Sequence, residues 1–140
     1  YFNIINLFLL FFYLNFFYTS PMPHIILKHS ASIDDHSVNY QPLFKAMSES
    51  LAAESFCSLD AIKCYVLAPE VVFLPTKDFF IHVDLLLLTR DNTDLVYEKA
   101  DQLRQLIKEF FPLSYQKDPS AFSFEIRFMN RTNYFKGTSF

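Results

Sequence analysis

Phe79-Phe-Ile-His-Val-Asp-Leu-Leu-Leu-Leu88 reads as the longest strand of the chain, and it decides the architecture. Only His82 and Asp84 interrupt its apolar character, and a spacing of two puts both on one face of a strand. A strand apolar on both sides lies inside a sheet and is covered on both faces. Downstream, Val96, Ala100, Leu103, Ile107 and Phe110 recur at helical spacing, predicting a helix over Asp94–Phe111. Asn92, Thr93 and Asp94 supply capping groups at its start, and Pro112 ends it. Beyond it, Phe122, Phe124, Ile126 and Phe128 alternate with Ser123, Glu125 and Arg127, a strand with one buried face.

Upstream, the pattern recurs. His24–His29 is a β-branched apolar run and reads as a strand. Residues 30–39 form a polar loop. Leu43, Phe44, Met47 and Leu51 then mark a helix over Tyr40–Glu54, with Pro42 harmless in its first turn. Ala61–Leu67 is a further strand, and Pro69–Pro75 is an irregular or hairpin excursion. The order is therefore β-α-β-β-α-β. The expected fold is α+β, with two helices on one face of a four-stranded sheet. The opposite face of the sheet then requires a partner subunit, which predicts a homo-oligomer.

Composition narrows the function classes. The 140 residues are 51% apolar and 19% charged, enough apolar material for a packed core. A net charge of -3 argues against a general nucleic-acid binder. The single glycine, Gly137, excludes glycine-rich phosphate loops and dinucleotide fingerprints. Cys57 and Cys64 form no metal-type CxxC and read as small apolar residues of a reducing compartment. His24, His29, His36 and His82 suggest no shared metal; His24 and His29 point to opposite faces of one strand.

Residues 1–22 carry no charge at all, and the composition breaks sharply at Met22-Pro23. Three readings are open. One is a signal peptide or anchor, although the segment has no basic start and its apolar run Leu7–Leu14 is too short to span a bilayer. Another is a native core element. The third is translation upstream of a start at Met22. The third is the expectation: an apolar extension, 1–22, absent from the mature protein, and a single folded domain, 23–140. Removal of Met22 then leaves Pro23 with a free secondary amine, a competent base once an apolar pocket lowers its basicity.

Met22-Pro23-His24-Ile-Ile-Leu-Lys-His-Ser30 resembles the start of the tautomerase superfamily. Leu51-Ala52-Ala53, Phe80-Ile81-His82-Val83, Leu106-Ile107-Lys108, Phe122-Ser123-Phe124-Glu125-Ile126 and Thr132 with Phe135-Lys136 extend the likeness. Over residues 23 to about 137 it is most similar to the 5-carboxymethyl-2-hydroxymuconate Δ-isomerases. The resemblance implies a homotrimer and cofactor-free conversion of unsaturated 2-hydroxy di- or tricarboxylates to their 2-oxo forms, in aromatic-compound catabolism. It implies Pro23 as the base and cationic side chains on the substrate carboxylates. Here the chain departs from the pattern: one arginine position falls at Lys63, and another falls near Asp91, with Arg90 one residue earlier. The expected site is therefore Pro23 as catalyst with Lys63 and Arg90 binding substrate, no metal and no cofactor. The expected setting is the cytoplasm, without nucleic acid, and without a membrane unless residues 1–22 are native. The altered cations keep open a ligand-binding trimer without turnover, and native residues 1–22 keep open a small membrane-anchored protein.

Overall fold

A computed structural model describes residues 22–35, 38–89, 93–137 and 140. The strands are β1 (His24–His29), β2 (Lys63–Leu67), β3 (Ile81–Leu88) and β4 (Phe122–Met129). They form one sheet in the order β2-β1-β3-β4. β1 runs parallel to β2 and antiparallel to β3, and β3 runs parallel to β4. The expected β-α-β-β-α-β α+β architecture is therefore present, and the apolar run is one of the two central strands. The excursion at residues 69–75 is irregular, and Val71 and Phe73 are almost fully exposed in it.

Helix α1 (Tyr40–Ala52) buries Leu43, Met47 and Leu51, and Asn39 caps it by accepting the Gln41 N–H. It ends two residues earlier than the apolar spacing predicts. Glu54 and Ser55 take φ of 59° and 57°, a left-handed pair that turns the chain out of the helix. Helix α2 (Thr93–Phe110) buries Val96, Ala100, Leu103 and Ile107, as the spacing predicts. Its expected cap Asn92 lies outside the described residues. Pro112 closes α2 but also opens a short helix, α3 (Pro112–Lys117), which the sequence reading did not expect. The reason is local: proline loses nothing at a first helical position. The buried Asp35 carboxylate then accepts the N–H groups of Leu113 and Ser114 and the Ser114 hydroxyl, the last at 2.5 Å.

Between sheet and helices, Ile25, Leu27, Ile81, Val83, Leu85 and Leu87 meet the buried stripes of α1 and α2 in one core. Lys99 of α2 is buried with them, and its ammonium donates to the Ser50 carbonyl in the last turn of α1 at 3.1 Å. The alternation of the strands places His24, Ile26, Lys28, Lys63, His82, Asp84, Leu86, Glu125 and Arg127 on the other face. That face is mixed rather than apolar, and the two interruptions of the central strand are its charged centre. Asp84 is buried between Lys28 Nζ at 2.5 Å and His82 Nε2 at 2.8 Å, with Arg127 at 3.6 Å.

Candidate active site

The strand directions bring four chain segments to one end of the sheet. β1 and β2 begin there, and β3 and β4 finish there. Pro23 stands at that end and is buried, immediately before β1. Its carbonyl accepts the Lys63 N–H at 3.0 Å, so the first residue of β2 is fixed beside it. His24 and Lys63 are register partners on the outer face. Two of the three expected site residues are thus brought together by a single parallel strand pairing. Arg90, the third, lies outside the described residues. Thr89, the residue before it, is held at the same end, where its N–H and hydroxyl both donate to the Met129 carbonyl at 3.1 Å.

The segment after β4 supplies groups that the sequence reading did not place at the site. Arg131 Nε donates to the Thr89 carbonyl at 3.0 Å. Tyr134 meets His24 edge-on, with ring centroids 6.4 Å apart and its hydroxyl 3.5 Å from Nε2. Residues 24 and 134 are too far apart in the chain for any spacing rule to join them. Burial, and then the nearby Lys63 ammonium, hold the His24 imidazole below its ordinary value of 6.5, so it is neutral near pH 7.

The remaining histidines and cysteines of the described residues are structural in their contacts. His29 is buried, stacked on Tyr40 and hydrogen-bonded to the Tyr40 hydroxyl at 2.6 Å and the Ser30 carbonyl at 2.8 Å. Neither cysteine forms a disulfide, and burial pushes the Cys64 thiol up against a weaker, opposite effect of the Ser48 hydrogen bond. His82, Asp84 and Glu125 bring three ligand atoms within 4.8 Å of one another. Lys28 and Arg127 already neutralise these carboxylates, so the cluster reads as an ion network. Two grooves flank the open edge of β4, lined among others by Tyr97, Arg104 and Phe124, and neither touches Pro23, His24 or Lys63.

No protein-family model and no curated protein sequence matches the chain. Solved structures do. A 5-carboxymethyl-2-hydroxymuconate isomerase from Deinococcus radiodurans R1 aligns with a TM-score of 0.74 at 17% identity, over 85% of this chain and 91% of that one. A 5-carboxymethyl-2-hydroxymuconate delta-isomerase aligns with a TM-score of 0.70 at 9% identity, over 86% and 90%. A fused wild-type 4-OT symmetric trimer aligns with a TM-score of 0.63 at 12% identity, over 84% and 94%. The fold is the tautomerase fold. Each alignment covers about nine tenths of the neighbour's length. No helix of the described residues is long and apolar enough to cross a membrane.

Proposed function

We propose that the protein is a cofactor-independent isomerase that converts unsaturated 2-hydroxy di- or tricarboxylates, of the 5-carboxymethyl-2-hydroxymuconate type, to their 2-oxo forms. The observation that carries this reading is the placement of Pro23. It opens the first strand of a tautomerase fold, is buried, and is fixed beside the cationic residue Lys63.

The chemistry needs a free proline amine, so in this reading residues 1–22 are removed and the active chain is 23–140. The neutral amine takes the enol proton. The electron pair of that O–H bond moves into the conjugated chain, and the protonated amine returns a proton to a distal carbon. Nothing is consumed. Lys63 holds a carboxylate and offsets the negative charge that spreads over the dienolate; Arg90 is proposed as the second cation. A trimer accompanies this reading, supported by the symmetric trimer among the structural neighbours. The lysine at 63 favours one rival, a trimer that binds such acids without turnover, because lysine lacks the paired donors with which arginine grips a carboxylate.

The test is enol–keto conversion followed by ultraviolet absorbance, with 2-hydroxymuconate and with the enol of phenylpyruvate. Protein expressed from the full sequence is sorted by intact mass into processed and unprocessed forms. Turnover confined to chains that begin at Pro23 supports the isomerase. Tight binding without turnover by those chains supports the rival.

A further inference from the structure

We infer that His24, backed by Tyr134, reads the second carboxylate of a dicarboxylate whose first carboxylate rests on Lys63. The inference takes the substrate class from the isomerase reading, but the subsite stands on its own geometry. His24 directly follows Pro23 in the chain and faces Lys63 across the parallel β1–β2 pair. Their side chains emerge on the same side of the sheet at neighbouring positions, about 5 Å apart between strands. Two carboxylate-binding groups so placed suit a short diacid, and a monoacid engages only one of them.

The surroundings explain how an imidazole does this work. His24 is half-buried and faces Lys63 from β2, Leu86 from β3, Ile26 from its own strand, and Tyr134 from the segment after β4. Arg131, also in that last segment, is engaged with the Thr89 carbonyl. Asp84 lies two residues further along β3, opposite Ile26, and is taken up by Lys28 and His82. The free site is therefore biased toward neutral imidazole, both by burial and by the Lys63 charge. An arriving carboxylate reverses that bias: it screens Lys63 and offers the imidazolium a partner. Binding of a diacid is accordingly coupled to uptake of a proton at His24. Tyr134 limits the ring's orientations through its edge-on contact and holds Nε2 near the phenol.

The deciding measurement is the titration of the His24 imidazole by NMR in the expressed protein, with adipate or hexanoate as unreactive probes. Adipate raises the His24 pKa by about half a unit or more, and hexanoate, which only screens Lys63, raises it distinctly less. An unmoved pKa with adipate, or equal shifts with both acids, overturns the subsite. In turnover, His24→Gln raises KM for 2-hydroxymuconate about tenfold, as expected for one charge-assisted hydrogen bond, with kcat little changed. KM for the enol of phenylpyruvate stays as it was. An equal loss with both substrates overturns the assignment. A wild-type protein that converts neither acid while adipate still shifts His24 sinks the isomerase reading and leaves the diacid subsite standing.

Discussion

Two lysines show how position decides what one side chain does. Lys63 is exposed at the start of β2, with its backbone tied to Pro23, and its ammonium is available to a ligand. Lys63→Ala is expected to lower kcat/KM for a hydroxymuconate substrate by roughly 10- to 150-fold, the usual worth of a hydrogen bond to a charged group. Unchanged kinetics would make it an ordinary solvated strand lysine and shift the role to Arg90. Lys99 is the opposite case. It is 1% exposed and reaches the Ser50 carbonyl at the C-terminal end of α1, where partial negative charge collects. Lys99→Met keeps the length and apolar stem but strands that carbonyl. The expected loss is about 1–3 kcal/mol, read as a lower urea midpoint with no change in the dependence on denaturant. The sequence hid this residue, because a lysine one position before Ala100 in an apolar stripe reads as the solvated edge of the helix. The same limit applied to His24: its neighbour across the sheet was legible as Lys63 only once the strand register was known.

At the scale of elements, the strands and helices followed from periodicity because each buries one recognisable stripe. What periodicity missed were events set by single residues in tertiary context. α3 exists because Asp35, from a loop nearly 80 residues upstream, satisfies its first N–H groups. α1 stops where it does because of two left-handed residues that no glycine announces. The outer face of β3 is another case: His82 and Asp84 were legible as sharing a face, but their partners came from β1 and β4. For Asp84, burial is the largest influence and opposes ionisation. The Lys28 and His82 contacts together outweigh it, and the carboxyl sits below its ordinary value of 3.8. The unfolded chain then binds the proton more readily than the folded one, so stability rises with pH across that interval. The network's contribution is complete above about pH 5 and is lost as pH falls through 3.8 toward the lowered folded value. Asp84→Asn is expected to cost about 1–3 kcal/mol at pH 7, reduced from a fully buried pair because Lys28 is partly exposed. Urea midpoints of wild type and variant should converge only once pH has fallen below the lowered folded value, beneath 3.8. A gap that persists there would mean that Asp84 acts through packing rather than charge.

At the scale of the whole molecule, the proposed chemistry joins the Pro23 nitrogen to the sheet's topology. A proline is an unremarkable residue before a strand unless its nitrogen is free, and in the sequence as written Met22 makes that nitrogen an amide. Met22 itself is buried and takes a φ of 44°, a left-handed conformation that costs a methionine roughly 1–2 kcal/mol. A chain beginning at Pro23 is free of that cost and gains a secondary amine at a position that is buried in the full chain. Ordinary α-amino groups titrate at about 7.7–8.0, and burial lowers that value by disfavouring the ammonium. The processed protein should therefore show a pH–rate profile in which activity rises as a group with a pKa near neutrality loses its proton. Pro23→Ala in the same processed form keeps an amine but loses the ring's fixed geometry. Its activity is expected to fall by about 10²–10⁴-fold, the range for a positioned acid–base group. Retaining Met22 removes the basicity altogether and should be at least as damaging. Both changes should leave the circular dichroism spectrum and the oligomeric state, proposed to be trimeric, as they are in the active protein. Light scattering on each form separates loss of a base from loss of assembly. Equal turnover by protein that still carries Met22 would remove proline catalysis, since the lone pair of an amide nitrogen is delocalised into the carbonyl and does not accept the enol proton.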